Sequence, residues 1–175
     1  VTIAGFAVGL LAAVAIAFGH YTLGLALVAL NRIADGLDGA VARATAKSDR
    51  GGFLDIVLDF FFYGAIPFAF AAADPERNAL AAAALLLSFY ANGACFLAFA
   101  IFAERRGIET TAQGQKSLFY LGGLAEGGET VAAFLLMCLL PAWFPAIAWI
   151  FAAVCGISAT ARLVMAAQVL SAGKG

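Results

Sequence analysis

Charged residues are scarce in this sequence. Lys and Arg number 10 and Asp and Glu 11 among 175 residues, while 64% of the chain is hydrophobic and the mean hydropathy is +0.97. A soluble domain of this size could not bury so much apolar surface. The composition therefore excludes a soluble globular domain and predicts an integral membrane protein.

Basic clusters and patterned cysteines are also lacking. The net charge is −1 and no basic run occurs, so we expect no nucleic acid among the partners. The three cysteines lie inside apolar runs without ligand-like spacing, which favours packing roles for Cys95, Cys138 and Cys155. No linker, low-complexity tract or clear repeat divides the chain, so we expect one membrane domain over residues 1–175.

The chain opens at Val1 without a Met, so we expect a segment to precede it. Ala15-Ile16-Ala17 resembles the small-x-small site of a signal peptide, but no basic region stands ahead of it. We therefore interpret the first apolar run as a retained span.

Six apolar runs are long enough to cross a bilayer, which takes about 20 helical residues each. The connections are short, so neighbouring helices should pack antiparallel. The predicted fold is an all-α, polytopic bundle of six transmembrane helices with a cavity facing the cytoplasm. The predicted spans lie near 1–18, 22–43, 51–73, 78–103, 117–140 and 143–170.

The distribution of Lys and Arg predicts the orientation. If the basic loop 44–50 is cytoplasmic, nearly all cations at helix ends lie on that side and only Arg77 lies outside. The cations on the inner side are Arg43, Lys47, Arg50, Arg105, Arg106, Lys116 and Lys174. We expect a multi-pass protein of the inner (plasma) membrane with its polar cavity, the candidate site, facing the cytoplasm.

Four aspartates form two pairs, Asp35 with Asp38 and Asp55 with Asp59. Spacings of three and four residues place each pair on one helix face. Asp35 and Asp59 lie about 12 Å inside their spans at the usual helical rise. Clustered carboxylates in apolar surroundings need a positive partner, and a divalent cation is the simplest one.

The residues around these aspartates form the pattern D-x-x-D-G-x-x-A-R, then seven residues, then G-x-x-x-D-x-x-x-D. This pattern resembles the signature of the CDP-alcohol phosphatidyltransferases, which are membrane enzymes of phospholipid synthesis. The matching positions are Asp35, Asp38, Gly39, Ala42, Arg43, Gly51, Asp55 and Asp59. The family usually carries Pro-Asn before the first span, which we expect in the segment ahead of Val1.

The resemblance implies an enzyme of the phosphotransferase class that moves a phosphatidyl group from CDP-diacylglycerol to a small polar alcohol and releases CMP. It implies two Mg²⁺ or Mn²⁺ ions on Asp35, Asp38, Asp55 and Asp59, with Asp59 also acting as the catalytic general base. The nucleotide would bind at Asp38, Gly39, Ala42, Arg43 and Gly51. Membrane lipid is a further partner, and a homodimer is the expected assembly.

The acceptor alcohol is not defined by the motif. The cations near the inner face favour a phosphorylated acceptor, as in phosphatidylglycerophosphate synthases. The candidate acceptor-binding residues are Lys116, Arg105, Arg162 and Glu126. Arg162 could bind the acceptor phosphate, or form a salt bridge with Glu126 or Glu129, and these alternatives are not exclusive.

Other interpretations stay open at this stage. A divalent-cation transporter also places carboxylates within the membrane, and an inactive relative could retain the motif. Arg32 could line the cavity or extend to the membrane surface. The Phe run at 60–62 and the tryptophans Trp143 and Trp149 are interpreted as lipid-facing or interfacial aromatics.

Overall fold

The computed structural model describes residues 2–44, 49–107 and 127–172, and these residues form six α-helices. No strand occurs in these three ranges, so the fold is the predicted all-α membrane bundle. A 3₁₀ turn at Pro141–Trp143 precedes the last helix. The helices are α1 (Thr2–Ala17), α2 (Tyr21–Ala44), α3 (Asp49–Ala73), α4 (Pro75–Arg105), α5 (Gly127–Leu139) and α6 (Phe144–Ala172).

Within the described ranges, three stretches are long and apolar enough to cross a membrane: Asp49–Ala73, Pro75–Arg105 and Pro141–Ser171. The apolar helices Ile3–Ala17, Tyr21–Ile33 and Gly127–Leu139 are shorter. The second half of α2 carries Asp and Arg residues, which limits its apolar length. Part of the predicted fifth span, 117–126, lies outside the described residues. The helical bundle is therefore confirmed, whereas six crossings remain a prediction.

The helix boundaries follow local chemistry. Gly19 has a φ of 78°, in the left-handed region that favours glycine, and the turn at this residue separates α1 from α2. Asp74 caps α4 by accepting a hydrogen bond from the Arg77 backbone N–H at 3.2 Å, and Pro75 follows as the first helical residue. The sequence Asp-Pro-Glu at 74–76 thus forms a helix start.

The packing of the helices determines which of their starts and finishes lie at the same end of the bundle. α1 packs on α2 and α3, α3 packs on α4, α4 on α6, and α2 on α5. At the opposite end, the Arg77 guanidinium donates to the Ala142 carbonyl and ties the start of α4 to the 3₁₀ turn. The starts of α3 and α5 therefore lie at the same end as the finishes of α2, α4 and α6.

Aromatic rings form much of the core. The fully buried rings include Phe62, Phe70, Phe134 and Phe144. The expectation that the whole Phe run faces lipid was wrong for Phe62, which is 1% exposed, whereas Phe60 and Phe61 are 41% and 64% exposed. Successive helical residues point about 100° apart, so one member of the run must face inward. Trp143 and Trp149 are exposed, as predicted.

Candidate functional site

An ion pair joins α2 and α3 about halfway along both helices. Arg32 Nη2 lies 3.4 Å from Asp59 Oδ1, and both side chains are partly enclosed, with 17% and 31% exposure. Asp59 is one of the predicted metal ligands and the predicted general base. The structure therefore places a cationic side chain beside that carboxylate.

The Arg32 side chain is held from several directions. Its Nε donates to Asn31 Oδ1 at 2.8 Å, and its guanidinium carbon lies 4.7 Å from the centroid of the Phe62 ring and 5.9 Å from that of Tyr63. These distances allow cation–π attraction. Arg32 is therefore fixed within the helix bundle and does not extend freely to the membrane surface.

Asn31 connects this group to α1. It is 3% exposed, and its Nδ2 donates to the Gly5 carbonyl at 2.7 Å. Gly9 makes the close approach of the helices possible, because a Cβ there would lie 2.7 Å from Phe62 Cδ2 and 3.1 Å from Asn31 Nδ2. Gly5 and Gly9 thus both take part in helix packing within the subunit.

Two of the four predicted metal ligands are described with their side chains. Asp55 and Asp59 lie one helical turn apart on α3, so they share one face, and Asp55 is exposed. Carboxylate oxygens are the donors that Mg²⁺ and Mn²⁺ prefer, so this half of the predicted site fits such an ion. Across the described ranges, no group of three or more His, Cys, Asp and Glu side chains could hold a metal ion.

The remaining motif positions stay predictions. The α2 backbone extends to Ala44 and so contains the first half of the motif. Beyond this backbone, the described part of the structure does not include Asp35, Asp38, Gly39, Ala42 and Arg43. Gly51 is exposed in the first turns of α3. The motif therefore spans the end of α2 and the start of α3, as the sequence indicates.

Two of the three candidate acceptor-binding cations, Arg105 and Arg162, lie on α4 and α6. Arg162 is partly buried, with its guanidinium carbon 5.7 Å from the Phe96 ring centroid. Arg105 ends α4 and is exposed, while the neighbouring Arg106 donates to the Leu170 carbonyl of α6. Lys116 and Glu126 lie outside the described residues. Arg162 and Arg105 are thus at the same end of the bundle as Asp55 and Asp59.

Sequence reasoning did not assign the interaction of Arg32 with Asp59 or the aromatic support of that arginine. One signal was available: Arg32 precedes Asp35 by three residues and so lies on the same face of α2. The aromatic partners had no comparable signal, because contacts between α2 and α3 depend on how the helices pack.

The fold is that of a helical membrane protein, and its charged groups around Asp59 lie in one half of the bundle. The chain belongs to the CDP-alcohol phosphatidyltransferase family, whose model matches residues 1–171. The family consists of phosphotransferases of phospholipid synthesis that use CDP-alcohol substrates and membrane lipid. The chain is accordingly an enzyme of this type.

A close relative has a similar sequence over most of its length. The inner membrane protein YnjF of Escherichia coli (strain K12) is 50% identical over 162 residues, which cover 93% of this chain and 79% of that protein. No solved structure matches the chain.

Proposed function

We propose that the chain transfers a phosphatidyl group from CDP-diacylglycerol to a small phosphorylated alcohol, with glycerol 3-phosphate as the best candidate. The supporting observation is the partly buried Arg162 at the same end of the bundle as Asp55 and Asp59. The planar guanidinium of an arginine suits forked, charge-assisted hydrogen bonds to a phosphate group. Arg162 could therefore bind the acceptor phosphate, or form a salt bridge with Glu126 or Glu129, and these roles are not exclusive.

In the proposed reaction, the acceptor hydroxyl oxygen attacks the β-phosphorus of CDP-diacylglycerol. A new phosphorus–oxygen bond forms, the bond to the bridging oxygen breaks, and CMP leaves with that oxygen. Asp59 accepts the hydroxyl proton. Its benefit would come largely from positioning, because a carboxylate is a weak base at neutral pH.

The predicted metal site would use Asp35, Asp38, Asp55 and Asp59 to hold two Mg²⁺ or Mn²⁺ ions. When bound, these ions would neutralise the diphosphate charge. Gly39 has no side chain and Ala42 only a methyl group, so both would let the nucleotide approach α2. Arg43 suits a forked contact with phosphate.

The proposed location is the inner membrane, with the site open to the cytoplasm. The name of the Escherichia coli relative supports this location. The excess of cations at the end where α2 finishes and α3 starts supports this orientation. The acyl chains would remain in the membrane while the head group and the acceptor enter from water. A homodimer is the expected assembly by resemblance to the family.

The test is CMP release from CDP-diacylglycerol by the purified protein in lipid nanodiscs, with Mg²⁺ or Mn²⁺ and a panel of acceptors. We expect release with glycerol 3-phosphate above that with inositol phosphate or serine. Asp59→Asn should lower release by at least about 100-fold while metal-dependent CMP binding persists. Removal of the metal with EDTA should stop the reaction until Mg²⁺ or Mn²⁺ is restored.

The other outcomes separate the alternatives. Turnover with serine alone would overturn the phosphorylated acceptor. CMP binding without turnover on any acceptor would indicate an inactive relative. Absence of nucleotide binding would favour a cation transporter, although the family match supports the transferase.

A further inference from the structure

Arg32 is held by groups of the protein, unlike an arginine whose head group lies in water at the membrane surface. Its charged group is turned toward Asp59 and contacts the faces of two rings on α3. An arginine that extends to the membrane surface keeps its head group in water. The Arg32 side chain is only 17% exposed, so its charge is balanced mainly within the protein.

The support of Arg32 is continuous across three helices. The Gly5 carbonyl on α1 accepts from Asn31, Asn31 accepts from Arg32, and Arg32 donates to Asp59 on α3. Each hydrogen bond restricts the rotation of the next side chain. The guanidinium therefore arrives at Asp59 Oδ1 in one orientation, which in turn restricts the carboxylate.

We propose that Arg32 is a positioning residue for Asp59 and competes with the divalent cation for that carboxylate. The inference depends on the proposed function, because it takes Asp59 to be a metal-binding carboxylate. A cation that binds Asp59 Oδ1 must displace or share the guanidinium, and the two positive charges repel each other. Arg32 thus weakens metal binding while it holds Asp59 in the orientation that catalysis uses.

The experiment measures Mn²⁺ binding to substrate-free protein in nanodiscs, by electron paramagnetic resonance of the unbound ion, together with kcat for CMP release. Arg32→Gln should tighten Mn²⁺ binding about fivefold, because the substitution removes the positive charge that competes with the ion for Asp59. Its kcat at saturating Mn²⁺ should fall about tenfold, since Asp59 loses its orienting partner. A purely structural role would not tighten metal binding.

Arg32→Lys separates charge from geometry. Lysine keeps the positive charge but lacks the Nε donor and the planar fork. Mn²⁺ affinity should stay within about twofold of the wild type, and kcat should still fall about tenfold. Arg77→Gln is the matched control, because Arg77 also joins two elements but lies at the opposite end of the bundle. Both quantities should stay at the wild-type value in that variant.

Several results would overturn the inference. One is unchanged or weaker Mn²⁺ binding in Arg32→Gln. The other is a wild-type kcat in Arg32→Lys, and this second variant provides the test if Arg32→Gln does not fold. In an Asp59→Asn background, Arg32→Gln should change the Mn²⁺ affinity by less than about twofold. A fivefold change there would show that Arg32 does not act through Asp59.

The wild-type protein separates this inference from the proposed function. If it binds Mn²⁺ and releases CMP, the variants test Arg32 alone. If it does neither, the proposed function is wrong and the inference is overturned with it.

Discussion

The residues around Asp59 show how an apolar bundle accommodates charge. The positive charge of Arg32 is stabilised by a carboxylate, an amide oxygen and two aromatic rings. Phe62 has a second function in this arrangement, because it is both a core residue and the ring beneath the guanidinium. The core and the site are therefore coupled through one side chain.

The contact at Gly9 gives a prediction for that coupling. Gly9→Ala would place a Cβ 2.7 Å from Phe62 Cδ2, and that ring is too deeply buried to move aside freely. We expect a loss of about 1–3 kcal/mol in the free energy of unfolding, as for other overpacked cores, together with reduced CMP release. Thermal unfolding in detergent and the activity assay measure the two effects.

Gly156→Ala is the matched control for this substitution. Gly156 is also helical, but a Cβ there meets no described atom within 4 Å. The thermal midpoint of that variant should stay unchanged or rise slightly, because alanine favours helix over glycine. Equal stability of Gly9→Ala and the wild type would contradict the close packing of α1 against α3.

Arg162 gives a prediction about the acceptor. Arg162→Ala should raise the KM for glycerol 3-phosphate at least about tenfold and leave the KM for CDP-diacylglycerol much less affected, because the proposed contact of Arg162 is with the acceptor phosphate. Steady-state kinetics with each substrate varied in turn measure both constants. Equal effects on the two constants would indicate a structural salt bridge to Glu126 or Glu129.

At the scale of helices, a short polar segment decides where α4 starts. α4 begins at Pro75, because the carboxylate of the preceding Asp74 accepts from the Arg77 N–H and Pro75 suits the first turn. α2 shows the opposite case, since its helix continues through charged residues to Ala44. A helix can thus outlast its apolar stretch, which is why helix length and membrane crossing are separate questions.

The cap of α4 can be tested independently of catalysis. Asp74→Ala should lower the free energy of unfolding by about 1 kcal/mol, because the cap hydrogen bond is lost, whereas Asp74→Asn should retain most of it. CMP release by folded protein should be unchanged in both variants, since this turn lies at the end away from Asp59. Thermal unfolding and the activity assay supply the measurements. Loss of turnover in stable Asp74→Asn would contradict that separation.

For the whole molecule, the distribution of charge defines an inner and an outer end. Arg50, Arg105 and Arg106 lie at the end that holds Asp55 and Asp59, while Arg77 lies at the other. Cytoplasmic loops carry the excess of Lys and Arg in membrane proteins. The site end is therefore the end that we expect to face the cytoplasm.

Cysteine labelling tests this orientation in intact cells. In a chain with its native cysteines replaced by serine, His20→Cys should react with a membrane-impermeant maleimide added outside. Glu104→Cys should react only after the membrane is opened, because it lies at the inner end. Both residues are exposed in the fold, so burial does not explain a difference. The reverse labelling pattern would contradict the proposed orientation.

The sequence by itself determined the membrane class, the helical fold, the family and the helix start at Asp74. These properties depend on composition, on short-range spacing and on local capping, all of which are present in the order of residues. Family membership was accessible for the same reason, because the eight motif positions stand within a short stretch at the junction of two helices.

Only the tertiary structure decided which member of the Phe run is buried, and that Arg32 meets Asp59 over the Phe62 ring. Arg32 and Asp59 stand 27 residues apart on different helices, so their contact depends on the rotation and approach of those helices. Both helices pack on α1, where Gly9 lets Asn31 of α2 and Phe62 of α3 come close, and this effect appears only once the three helices are in place. Local pattern specifies elements, whereas packing across helices specifies the contacts around Asp59.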